Sequence, residues 1–191
     1  MTSEQSEVYW QSEYPAVPPL SDLFRNKLTD TWFRVHSLPE SKRYPSNTVD
    51  LAILLHRQNT LITDLLGTRP QLLLVTGEYD FASVANKKGL FSPEGSIQDL
   101  AFTELKPFIL NQLEPDPRIP DGYAIGDLYR IVFVRIDWQP EKWNSILEEI
   151  AQGELRAFFI SVANKYLIAP YDGGVDVIVK STPTRNFYKK I

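Results

Sequence analysis

Residues 157–179 read AFFISVANKYLIAPYDGGVDVIV, and this stretch decides the fold. It holds three apolar runs, Ala157–Val162, Tyr166–Ala169 and Val175–Val179. Each is rich in the aromatic and β-branched residues that fit a pleated surface. Asn164-Lys165 forms the first turn. Asp172-Gly173-Gly174 forms the second, with the glycines expected at the positive φ values that hairpin turns demand. The spacing predicts a C-terminal three-stranded meander.

Upstream, Arg130–Trp138 is apolar on both faces and reads as a central strand, as does the short run Leu72–Thr76. Trp32–Val35 is a further strand, and Phe102–Leu113, broken by Pro107, is one or two edge strands. The strongest helix follows an N-cap at Ser46 or Asn47 and stops at Gly67, with Leu51, Leu54, Leu55, Leu61, Ile62 and Leu65 as its stripe. A second helix opens at Pro140, buries Trp143, Ile146, Leu147, Ile150 and Ala151, and closes at Gly153. Ser21 caps a short helix over 22–28, and Thr182-Pro183 starts another. Residues 81–100 and 114–126 read as irregular chain.

Strands and helices do not alternate regularly. The chain is therefore expected to be α+β, with a mainly antiparallel or mixed sheet and helices packed on it. Residues 1–20 hold Pro15, Pro18 and Pro19 and are expected to form an extended arm whose aromatics pack on the body. Residues 21–191 are expected to form a single α+β domain, a length that suits one core.

The net charge of −4 makes no case for a nucleic-acid partner. The absence of cysteine removes disulfides, thiolate metal sites and cysteine nucleophiles, and suits a reducing cytosol. The N-terminus lacks the basic start and apolar run of a signal peptide, and no stretch approaches a membrane span of about 20 apolar residues. The expectation is a soluble, cytoplasmic protein with no membrane association and no cofactor.

The segment after the first strand collects Arg34, His36, Ser37, Lys42, Arg43 and Tyr44. Arginine offers a fork of donors, lysine a point charge and serine a hydroxyl, a set that can hold a phosphate or carboxylate. The opposing reading leaves Lys42 and Arg43 solvated and pairs Arg34 with an acid on a neighbouring strand. His36 and His56 are the only histidines, and no metal-ligand spacing joins them. No Gly-x-Ser-x-Gly elbow supports Ser37 as a nucleophile, and no glycine-rich phosphate loop is present. Asp172 and Asp176, with Asp137, Glu78 and Asp80, offer carboxylates for Mg²⁺, but a self-capped turn explains Asp172 as well. Arg34, His36, Arg43, Tyr171 and Asp172 can line one cleft only if both polar segments reach one end of the sheet.

Two stretches carry a resemblance. One is FRVHSLPESKRY at 33–44 with HRQNT at 56–60; the other is PYDGGVDVI at 170–178. Their order and spacing resemble a bacterial family of uncharacterised proteins of this size. The resemblance implies a bacterial cytosolic origin and no particular reaction. It also implies a longer C-terminal helix than the residues after Val179 allow.

No catalytic signature is found, so the leading expectation is a non-catalytic binding protein that recognises a protein partner or a small anion, an immunity-type protein being one such case. The alternative is a hydrolase or phosphotransfer enzyme whose site is built from the His36–Tyr44 loop and the Asp172–Gly174 turn.

Overall fold

The structure, a computed structural model, describes residues 2–15, 17–83, 91–114 and 122–189. Its strands are β1 (Trp32–His36), β2 (Gln71–Asp80), β3 (Thr103–Glu104), β4 (Phe108–Ile109), β5 (Leu128–Asp137), β6 (Ala157–Ser161), β7 (Tyr166–Tyr171) and β8 (Gly174–Ile178). Among the described residues they form one sheet in the order β1-β8-β7-β6-β2-β5-β3, with β4 also on β5. Every pairing is antiparallel. The helices are α1 (Ser3–Glu13), α2 (Ser21–Lys27), α3 (Thr48–Leu66), α4 (Asn144–Gln152) and α5 (Thr182–Tyr188). The fold is α+β, and β6-β7-β8 is the C-terminal meander.

Alternation along the strands sends side chains to two separate cores. Leu72, Leu74, Phe159, Ile168, Val175 and Val177 join one core with Ile62 and Leu65 of α3 and Ile146, Leu147 and Ile150 of α4. Leu73, Val75, Ile131, Phe133, Phe158 and Ile160 point the other way. They meet Trp10, Tyr14, Val17, Leu20 and Phe24 from the N-terminal segment. Helices thus cover both faces, α3 and α4 one of them and the N-terminal segment the other.

α3 matches its sequence signals. The Asn47 side chain accepts from the Asp50 N–H at 2.9 Å, and Gly67 closes the helix at φ 91. Its buried stripe, however, includes Gln58 and Asn59. Gln58 Nε2 donates to Ser37 Oγ at 3.1 Å, and Asn59 Oδ1 accepts from the Glu141 N–H at 2.8 Å. Asn59 Nδ2 also donates to Asn144 Oδ1 at 2.7 Å. These bonds offset the cost of burying the Asn59 amide, whereas Gln58 Oε1 stays buried without a partner.

Four local expectations change. The N-terminal segment is not extended throughout, because α1 occupies Ser3–Glu13. All three prolines follow that helix, and Thr2 and Gln5 form a reciprocal capping box at its start. The aromatics do pack on the body: Trp10 and Tyr14 are buried. The second helix begins at Asn144 instead of Pro140, because Glu141 takes φ 67 and its N–H is held by Asn59. β2 continues past Thr76 to Asp80, with Gly77 opposite Ile131 and Tyr79 opposite Tyr129. A Cβ at Gly77 would lie 2.1 Å from the Arg130 carbonyl oxygen, so the glycine permits that continuation.

The fourth change concerns the Asp172-Gly173-Gly174 turn. Neither glycine has positive φ. Close approach explains them instead. A Cβ on Gly174 would sit 2.3 Å from Val35 O, and one on Gly173 would sit 2.9 Å from Tyr171 Cε2. Residues 84–90 and 115–121, within the stretches expected to be irregular, lie outside the described residues.

Candidate functional site

The two polar segments meet. β1 pairs with β8 in the register that sets Arg34 opposite Asp176 and His36 opposite Gly174. The Ser37 N–H then donates to Gly173 O at 3.4 Å. The contact requires a bare backbone at 174, which places the loop after β1 directly beside the β7–β8 turn.

Charges in this cluster pair internally. Arg34 Nε and Nη2 donate to the two carboxylate oxygens of Asp176 at 2.8 and 3.0 Å. This is a bidentate cross-strand pair, and Asp176 is buried. The Arg34 guanidinium also stacks 4.7 Å from the Tyr171 ring centroid. Burial raises the Tyr171 phenol above its ordinary pKa, against the pull of Arg34. Arg43 Nε donates to Asp172 Oδ2 at 2.9 Å, and its guanidinium lies 5.3 Å from the Tyr44 ring. Asp172 therefore spends one oxygen on a cross-loop pair instead of capping its own turn. Its Oδ1 is buried without a hydrogen bond. Lys42 pairs with Asp50 and donates to Ser46 Oγ at 2.7 Å.

Ser37 is buried and accepts from Gln58, so it serves packing. His36 and His56 are both exposed. Among the described residues no group of three or more His, Asp or Glu side chains is placed to hold a metal ion. Arg34, His36, Ser37, Lys42, Arg43, Tyr44, Tyr171 and Asp172 thus share one edge of the sheet. What they build is an internally neutralised ledge at that edge. Its outer surface is aromatic and basic: Tyr44 is 53% exposed and the Arg43 side chain 69% exposed. Hydrogen bonding with the Asp172 carboxylate raises the Tyr44 phenol above its ordinary pKa.

The ledge carries backbone strain. Glu40 and Ser41 take φ 55 and 57 in succession, a left-handed conformation that costs a non-glycine residue about 1 kcal/mol or more. Pro39 and the Lys42 N–H to Pro39 O bond of 3.1 Å hold that turn in place.

Sequence reasoning missed the concave parts of the molecule. A cavity of about 500 Å³ lies under α1, floored by Leu73, Val75, Ile131 and Phe133. Another, of about 460 Å³, lies between β2 and the end of α4 and is rimmed by Glu78, Glu94, Glu149 and Glu154. The apolar alternation of β5 was visible in sequence, but only the fold shows which of its faces is loosely covered.

Among the described residues no helix is long and apolar enough to cross a membrane. No curated protein and no solved structure matches the chain. The profile of a domain of unknown function, DUF3885, matches residues 20–190, so the segment bearing α1 precedes the matched region. From Leu20 onward, ledge and sheet together, the chain belongs to the DUF3885 family.

Proposed function

We propose that this protein is a non-catalytic binding module, bacterial and cytoplasmic, that recognises a protein partner through the ledge of the His36–Tyr44 loop and the Asp172–Gly174 turn. The observation that carries the reading is the internal pairing of its charges. Arg34, Lys42 and Arg43 each hold a carboxylate of the same chain, which leaves little uncompensated charge for a small anion. What faces outward is Tyr44 with Arg43 stacked upon it, the residue types that dominate protein interface energetics. Val49, 66% exposed, stands at the start of α3, beside the Asp50 that pairs with Lys42. The strained Glu40-Ser41 turn supports the reading as well, since such strain gathers at ligand clamps and switch regions. The enzyme reading has less support, because both histidines are exposed and neither cavity includes the ledge. A Cys-free chain is in keeping with a reducing compartment.

The test is comparative capture. Immobilised full-length protein, Tyr44→Ala and a distant control, Val8→Ala, are exposed to lysate of the source cell, and the partner is then purified. Loss of a Tyr44-class anchor is expected to weaken binding by about tenfold or more, while the control is unchanged. Equal affinity of Tyr44→Ala and the parent protein sinks the assignment. Saturable phosphate binding that shifts the Lys42 and Arg43 resonances would transfer the site to the anion reading.

A further inference from the structure

The cavity under α1 lies away from the ledge and has the character of a small-molecule site. Its floor is the sheet: Leu73 and Val75 of β2, Ile131 and Phe133 of β5, and Ile160 of β6. Trp10 forms one wall and the Leu105–Ile109 segment the other. At about 500 Å³ the space falls within the range of roughly 300–1,000 Å³ typical of ligand pockets, which are likewise mostly apolar with a few polar groups at the mouth. The cavity opens to solvent at its mouth, and its apolar floor offers surface that an apolar guest can bury.

The roof is anchored at its C-terminal end, where Trp10 packs on Phe24 and Phe158 and Glu13 accepts from Lys165 Nζ at 2.8 Å. α1 buries only Ser6 and Trp10, while Val8 is 64% exposed. Its far side is tied to the opposite wall by two hydrogen bonds at the mouth. Ser3 Oγ donates to Glu104 O at 3.0 Å, and the Lys106 N–H donates to Glu7 Oε1 at 2.9 Å. The family match spans residues 20–190, so the roof precedes the matched region. At the mouth, the Lys106 side chain is an exposed cation with no carboxylate partner among the described residues, whereas Glu7 already accepts a backbone hydrogen bond.

We propose that this cavity binds an amphipathic small molecule with an apolar body and an anionic head, a medium-chain carboxylate in class. α1 is its lid and Lys106 its head-group contact. The chain enters along Val75 and Ile131, and the head remains at the mouth. Entry requires the Ser3 and Glu7 ties to open, which leaves the sheet itself undisturbed.

The experiment uses full-length protein and decanoate below its micellar concentration, followed by methyl and indole NMR shifts and by the thermal midpoint. Saturable binding is expected, with shifts confined to Trp10, Leu73, Val75 and Ile131 and a raised midpoint. Val75→Phe fills the floor and is expected to weaken binding by about tenfold or more while the fold persists. Leu105→Trp, at the wall, gives a second filling variant should Val75→Phe not fold. Lys106→Glu is expected to weaken decanoate binding and to leave decanol binding unchanged. No saturation by decanoate, or equal binding by parent and filled variants, overturns the proposal. So does protection of the same floor residues through dimerisation, which would give the cavity to a second copy of the chain.

Discussion

The two faces of the sheet are covered in different ways. On one, α3 and α4 present regular apolar stripes, and Phe159 meets Trp138 edge-on at 5.7 Å in a fully buried core. On the other, the cover is a short helix, a proline-bearing segment and a second short helix, held mainly by rings. Trp10 touches Tyr14 at 4.9 Å, and Phe24 meets Phe158 edge-on at 5.0 Å. Periodic helices spread contact along a whole element and leave a cavity only beyond the end of α4, whereas isolated aromatic anchors concentrate contact and leave a cavity directly under α1. The first arrangement secures the fold, and the second leaves a cover that can open.

Neighbouring residues on β6 allow the sharpest comparison, because Phe158 and Phe159 point to opposite faces. Phe159→Ala is expected to cost about 4 kcal/mol in urea unfolding, the usual range for a large ring removed from a tight core. Phe158→Ala should cost about 3 kcal/mol, since the adjacent cavity lets that side relax. Equal costs would mean the two faces are packed alike.

Alkali should loosen the aromatic face first. Burial pushes the Tyr9 and Tyr79 phenols up to about 12, and raises Tyr14 and Tyr129 further in the same direction. On the helical face, burial also raises the phenol of Tyr166. A raised phenol favours the folded state fully below its unfolded value near 10, and that contribution is lost as pH climbs toward 12. Hydrogen exchange above pH 10 is expected to open α1 and the first half of β5 before α3. Simultaneous opening of both faces would show that they are equally secured.

Helix caps give a smaller contrast. Asn47→Ala, at the start of α3, should lower global stability by about 1 kcal/mol. Thr2→Ala removes the capping box of α1, but is expected to fray that helix with no shift in the global midpoint. An equal global loss from both would show that α1 unfolds with the core. The slightest effect is acidic. Hydrogen bonds from Lys42 and Ser46 lower the Asp50 carboxyl from 3.8 to about 2. Its contribution is complete above the unfolded value and disappears as pH falls from about 4 to about 2. A carboxyl NMR titration with a midpoint near 4 would show that those bonds do not form in solution.

Legibility in the sequence followed the range of the interaction. α3 and the meander rest on periodicity and on caps a few residues away, and both were readable. Helix α1 is obscured in sequence because Pro15, Pro18 and Pro19 signal extended chain, whereas its own start signal, the Thr2–Gln5 capping box, lies ahead of them. The start of α4 depended on Asn59, 82 residues before Glu141. The ledge residues were visible as a group, but their partners were not. Arg34 finds Asp176 at a separation of 142 residues and Arg43 finds Asp172 at 129. That pairing decides whether the cluster is an open cationic site or a neutral surface, and only strand order supplies it.

The adjacency of β1 and β8 has a further consequence during synthesis. The strand made first is completed by the strand made last. At an elongation rate of about 5–20 residues per second, Trp32–His36 waits on the order of ten seconds for Gly174–Ile178 to leave the ribosome. Through that interval Phe33 and Arg34 lack the strand that will later pair with them, and the nascent chain offers a bare strand for chaperones to hold. The ledge is therefore among the last parts of the domain to exist, followed only by α5, and a ribosome that stalls before Gly174 releases a protein without it.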